Sequence, residues 1–160
     1  MKQNTKALSK SAIIAALYVV FTYLATMTGL SSGVIQVRFS EMLTVLPAYT
    51  PAAIPGLFIG CLISNLLSGC VIWDVIFGSL TTLLAAILTY AFRKHKWFAP
   101  VPPIVCNTLT IPFVLSYAYG ASGSIPFFML TVGIGEIISC GLLGGILMMS
   151  LKKMQKYICL

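Results

Sequence analysis

Ionisable side chains are nearly missing from this chain. Of 160 residues, 10 are Lys or Arg, 3 are Asp or Glu and 1 is His, so charged residues make up 8%. A soluble domain carries about 25%. So few ions cannot cover a water-facing surface, which excludes a soluble enzyme, a secreted disulfide scaffold and a disordered tail. Clustered metal ligands are missing too. Cys61, Cys70, Cys106, Cys140 and Cys159 are isolated, no C-x-x-C pair occurs, and His95 lies in a basic stretch, so no metal or disulfide framework is expected. Cys159 is next to last and does not form a C-a-a-X box. No G-x-x-x-x-G-K-[ST] loop is present, so the chain is not expected to drive transport with ATP by itself. Gly133-Ile-Gly135 lacks the third glycine of a dinucleotide fingerprint. With its single His in the basic stretch, the chain offers no nucleophile–base pair within a bilayer. No enzymatic activity and no cofactor are expected.

What is present is apolar: 59% hydrophobic residues and a mean hydropathy of +1.00. The net charge of +7 does not point to nucleic acid, because the basic residues fall into three small groups. Lys2, Lys6 and Lys10 open the chain, Arg93, Lys94 and Lys96 sit mid-chain, and Lys152, Lys153 and Lys156 close it; Arg38 alone stands apart. That is the positive-inside distribution of cytoplasmic loops. Uncharged runs cover residues 11–37, 42–73, 75–92 and 97–135, and a membrane helix needs roughly 20 apolar residues. The basic start followed by an apolar run is read as a first membrane helix, since no cleavage site of a signal peptide follows it. Gly120-Ala-Ser-Gly-Ser-Ile-Pro126 supplies a turn. If the N-terminus and the 93–96 loop are both cytoplasmic, an even number of spans separates them, and four fits the apolar length better than two. The expectation is an all-α integral membrane bundle of six transmembrane helices, one domain over 1–160. The spans are 11–30, 40–54, 56–72, 74–92, 99–119 and 125–151, with both termini cytoplasmic and a tight hairpin at Pro51 and Pro55.

Glu136 carries the sharpest signal. A carboxylate near the middle of a membrane helix costs about 2.5–3.5 kcal/mol on insertion scales, so it faces a partner or a polar cavity. No basic residue is expected at its depth. Asn107, thirteen residues before Gly120, reaches a similar level, as does Asn65, nine before Asp74. Either amide alone is equally suited to bonding a neighbouring helix. Asp74 opens a helix, where the dipole favours an acid, and Trp73 beside it offers a lid for a ligand. Arg38 and Glu41, three apart, are expected to pair at the mouth of the second helix. Ala12 and Ala16 form a small-xxx-small pair that allows a second membrane protein to approach closely, and Gly56 and Gly60, and Gly141 and Gly145, share the spacing.

Several of these segments, in order, resemble a known family. They are Arg38-Phe-Ser-Glu-Met-Leu-Thr-Val-Leu-Pro47, Gly60-Cys-Leu-Ile-Ser-Asn-Leu-Leu67, Asp74-Val-Ile-Phe-Gly-Ser-Leu-Thr-Thr-Leu-Leu84 and Val132-Gly-Ile-Gly-Glu-Ile-Ile138. Together with the Ala12, Ala16 face they resemble the QueT family, substrate-binding (S) components of energy-coupling factor (ECF) transporters. The resemblance implies a multi-pass protein of the bacterial plasma membrane. It also implies capture of a queuosine precursor from outside, 7-aminomethyl-7-deazaguanine (preQ1) or a close relative. Membrane lipid, a transmembrane coupling subunit and two ATPase subunits are the implied partners, with Ala12 and Ala16 in the docking surface. On that ligand Glu136 would accept from the base edge and Asn107 would donate to the oxo group. Asp74 or Glu41 would neutralise the ammonium, and Trp73, Tyr117 or Tyr119 would stack on the ring. Two other readings stand beside it: an S component for another vitamin such as riboflavin, and a small channel or structural membrane subunit.

Overall fold

The computed structural model describes residues 2–30 and 35–157; Cys159 lies outside them, as do the side chains of Lys2 and Lys156. Every regular element among the described residues is helical. Helix α1 (Lys2–Met27) is followed by a 3₁₀ segment (Phe39–Ala48), then α2 (Ala53–Leu67) and α3 (Ile72–Ala91). Helix α4 (Val101–Phe113) continues into a π turn (Val114–Ala118), and α5 (Ile125–Glu136) runs through a second π turn (Ile137–Leu143) into α6 (Gly144–Tyr157). Four stretches are long and apolar enough to cross a membrane: Thr5–Met27, Ile72–Ala91, Lys96–Ala118 and Ile125–Lys153. Helix α2 is apolar but shorter, with 15 residues, about 22 Å at 1.5 Å per residue.

Successive helices pack against each other, α1 on α2, α2 on α3, α3 on α4 and α4 on α5, as short connections between antiparallel neighbours dictate. The 3₁₀ segment closes the ring from within. It packs against α1, α3, α6 and the second π turn, and Ser40, Glu41, Leu43, Thr44, Val45, Pro47 and Ala48 are all buried in it.

This segment departs from the expected second helix over 40–54. Ten residues of 3₁₀ coil are long for a geometry that seldom runs beyond 3–4 residues. Two local causes are visible. Pro47 has no N–H to give to the carbonyl four residues back. The Thr44 hydroxyl also donates to the Glu41 carbonyl at 2.5 Å, satisfying an acceptor that an α-helix would have used. The chain then turns at Pro51, and α2 begins at Ala53 with Pro55 in its first turn, where a missing N–H costs nothing.

Small residues set the closest approaches. A Cβ on Gly56 would lie 2.7 Å from the Ser11 carbonyl oxygen, and one on Gly60 would lie 2.7 Å from Tyr18 Cβ. The expected small-xxx-small contact therefore operates between α1 and α2. Ser11, Ile14, Ala15 and Tyr18 form the buried side of α1, which leaves Ala12 and Ala16 exposed on the opposite side. Gly141 and Gly145 do not serve in this way: Gly141 has only ordinary contacts and Gly145 has open space.

Candidate functional site

Several of the charged and polar residues of this apolar bundle meet at one place. A cavity is lined by Arg38, Glu41, Asn107 and Glu136, with Gln36, Cys61, Gly78, Thr82, Ile111 and Val132 completing its wall. Five elements contribute. Arg38 and Glu41 come from the start of the 3₁₀ segment, Cys61 from α2, Gly78 and Thr82 from α3, Asn107 from α4 and Glu136 from α5. Its free volume is about 20 Å³, room for one or two waters at roughly 10–15 Å³ each.

Glu136 is buried, and the Asn107 amide donates to its Oε1 at 2.9 Å. Its other oxygen lies 3.1 Å from Cys140 Sγ. The π turn beginning at Ile137 carries Ser139 and Cys140 toward the 3₁₀ segment. The Arg38 backbone N–H donates to the Ser139 hydroxyl at 3.1 Å, and Cys140 Sγ sits 3.4 Å from both the Glu41 carbonyl and Thr44 Oγ1. π turns inside α-helices recur at functional sites, and here the widened turn ties α5 to the segment that bears Glu41.

Glu41 enters the cavity from the other side. The Tyr18 hydroxyl donates to its Oε1 at 2.5 Å, whereas its Oε2 is buried with no hydrogen-bond partner. A carboxylate offers about four acceptor positions, and leaving one unsatisfied in a dry interior is costly. Glu41, Glu136 and Cys140 offer ligand atoms that all lie within 4.8 Å of one another. The Tyr18 hydroxyl and the Asn107 amide already donate to these carboxylates.

The expected Arg38–Glu41 pair does not form: no salt bridge within 4.0 Å occurs among the described residues. The (i, i+3) rule belongs to helix surfaces, and Arg38 stands before the coil in extended conformation, with φ −110° and ψ 113°. Arg38 lines the cavity instead.

The remaining candidates lie elsewhere. The Asp74 carboxylate accepts from the Tyr119 hydroxyl at 2.9 Å, and Asn65 Nδ2 reaches the Asp74 carbonyl at 3.5 Å and Cys61 Sγ at 3.6 Å. Asn65 and Asp74 thus form a polar link between α2, α3 and the end of α4, close to the cavity through Gly78 but not on its wall. Trp73 and Tyr117, 55% and 79% exposed, are not at the cavity. Trp73 stacks on Phe77, and Tyr117 on Phe113, along a separate apolar groove of about 420 Å³ between α3 and α4. Residues not singled out in the sequence also serve the site: Tyr18, Thr44, Cys140 and Gln36. Tyr18 and Thr22 are four apart on an otherwise apolar face of α1, and Cys140 is four beyond Glu136, spacings that place side chains on one helix face.

The QueT transporter family model matches residues 8–153, nearly the whole chain. The chain belongs to the QueT transporter family. It is a multi-pass membrane protein of a family of transporters, not of enzymes. A curated relative from Lactococcus lactis subsp. cremoris (strain MG1363), named queuosine precursor transporter QueT, is 42% identical over 101 residues. The match covers 61% of this chain and 59% of that protein, so the chain spans under two thirds of the relative's length. No solved structure matches the chain.

Proposed function

We propose that this chain is the substrate-capturing membrane component of an energy-coupling factor importer for a queuosine precursor, with preQ1 as its preferred cargo. One observation carries the choice of cargo. Two acidic residues, Glu41 and Glu136, and a single basic one, Arg38, line one cavity, and a buried oxygen of Glu41 has no partner. A buried polar oxygen needs a partner, so the open Oε2 of Glu41 favours a guest that donates a hydrogen bond there, as an ammonium does. preQ1 is a flat base with an aminomethyl cation. Its guanine-like edge presents adjacent N–H donors that suit Glu136, its oxo group suits the second N–H of the Asn107 amide, and its ammonium suits the open oxygen of Glu41. Asp74, already engaged by Tyr119, is left with a positioning role at the cavity's edge. Hydrogen bonds to charged groups are the strong kind in such a site. The name of the Lactococcus relative supports the same substrate class.

A free volume of about 20 Å³ is too small for a bicyclic base, so binding moves the lining apart. Arg38 is half-buried and is the lining side chain that we expect to swing away. In this reading the six segments lie in the bacterial plasma membrane as one unit with both ends cytoplasmic, and the coupling subunit and two ATPases supply the energy. Ala12 and Ala16, small and exposed on α1, fit the docking face, since small residues let helices approach closely.

Uptake of labelled preQ1 into cells lacking their own route tests this function. Accumulation is expected only when the coupling subunit and both ATPases are co-expressed. An Ala12→Leu/Ala16→Leu variant is expected to lose uptake by more than tenfold while binding preQ1 in detergent as the wild type does. Uptake without the module, or full uptake by that variant, would refute the arrangement.

A further inference from the structure

A second cleft, remote from the acidic cavity, has a different chemistry. It lies where the turn after α3 meets α6 and has a free volume of about 220 Å³. Lys96, Lys152, Gly145, Met148, Met149, Trp97 and Tyr49 line it, with Met148 buried and Met149 exposed. We propose that this cleft binds an anionic phospholipid, taking the phosphate between the two lysines and the first acyl carbons over the methionines.

Charge complementarity is the first argument. The three acids of the chain are Glu41, Asp74 and Glu136, and none lines this cleft. Among the described residues, no acidic side chain of the cleft lining faces its two ammonium groups. Lys96 is held in place, its Nζ lying 4.4 Å from the centroid of the Tyr49 ring, a cation–π contact that leaves its other side open to an anion. Arg93, Lys94 and Lys153 add to the positive field at the same end of the bundle. Basic clefts between membrane helices at that end suit anionic lipid headgroups, whereas a choline headgroup would set a third cation against the lysines.

The build of the cleft is the second argument. A lining that joins two lysines to apolar Met148, Met149 and Trp97 matches an amphiphile better than a soluble anion. Trp97 is 78% exposed, as an aromatic at the membrane–water boundary would be. A Cβ on Gly145 would meet nothing within 4 Å, so the cleft is open to an acyl chain there. The volume falls below the 300–1,000 Å³ typical of pockets that enclose a small molecule, consistent with a lipid that is only partly embedded.

Native mass spectrometry of the full-length chain, titrated with phosphatidylglycerol or phosphatidylcholine, tests the proposal. Phosphatidylglycerol is expected to stay bound preferentially. A lysine at a membrane surface contributes about fivefold toward anionic lipid, so Lys96→Gln/Lys152→Gln is expected to weaken retention roughly 25-fold. Lys94→Gln/Lys153→Gln, outside the cleft and acting only through the general field, is expected to weaken it clearly less than the cleft pair does. Gly145→Trp, which fills the cleft without changing charge, is expected to reduce it as well. Equal retention of the two lipids would overturn the proposal, as would equal effects of the two lysine pairs or an unaffected Gly145→Trp. Displacement by millimolar inorganic phosphate without lipid preference would assign the lysines to a free anion instead. preQ1 binding at the distant cavity is expected to be the same in all these variants.

Discussion

Glu136→Gln is expected to abolish high-affinity preQ1 binding without unfolding the protein. The two side chains have nearly the same shape, so packing is kept. The amide also presents N–H groups where the base edge presents its own, which replaces attraction with opposed donors. Truncating one partner of a buried, hydrogen-bonded charge pair costs about 2–5 kcal/mol, which is roughly thirtyfold to several thousandfold in Kd. Stability is expected to move the other way or not at all, because the change removes one of two carboxylates whose offered ligand atoms lie within 4.8 Å of each other. Calorimetric titration and thermal unfolding in the same detergent check both halves. A variant that binds preQ1 like the wild type would remove Glu136 from the site. A variant that no longer folds would instead give the acid a structural role.

Gly135→Ala should be nearly as damaging, for a steric reason. A Cβ at this position would lie 2.2 Å from the Gln36 carbonyl oxygen and 3.1 Å from its carbon. Both are backbone atoms and cannot rotate aside, so the strand of chain that carries Gln36 and Arg38 must shift away from α5. Overpacking of this kind costs typically about 1–3 kcal/mol, and it moves two residues of the cavity wall. The expected result is a lower unfolding temperature together with preQ1 binding weakened by roughly tenfold or more. Gly145→Ala is the matched control: it meets nothing within 4 Å, and alanine favours helix by about 1 kcal/mol over glycine. Wild-type behaviour of Gly135→Ala would mean that residues 36–38 are not held against α5 in the membrane.

How far the sequence discloses this molecule differs from residue to residue. Glu136 and Asn107 stand out because an acid or amide in a long apolar run has no cheap place in lipid, and counting inward from Gly120 puts them at one level. The structure joins them by a 2.9 Å hydrogen bond. Glu41 is joined to Glu136 in the sequence only through the family resemblance, with Asp74 as its alternative, because 94 residues lie between them and the choice depends on how the 3₁₀ segment threads the bundle. That segment is itself hard to foresee. In ten residues, seven of them apolar, periods of 3.0 and 3.6 look alike, and Pro47 alone does not say which coil replaces the helix. Trp73 and Tyr117 illustrate the converse. Each adjoins or nears a polar residue in sequence, yet a helix turns about 100° per residue, so the neighbour of Asp74 points into a different groove. Thr44 carries no signal of its own, since its role comes from the 3₁₀ segment; Cys140 is marked only by its spacing of four from Glu136, and the π turn that holds it is announced by nothing in the local composition.

The central claim, a cavity built for a cationic base, is tested most directly by one titration of the purified chain without partners, comparing preQ1 with its neutral 7-cyano analogue. The two share the ring and differ in the group set against Glu41. A hydrogen bond to a charged group contributes about 1.5–3 kcal/mol, so preQ1 is predicted to bind roughly ten- to 150-fold more tightly. Equal affinities, or tighter binding of the cyano form, would contradict the claim and leave the unpartnered oxygen of Glu41 without a ligand.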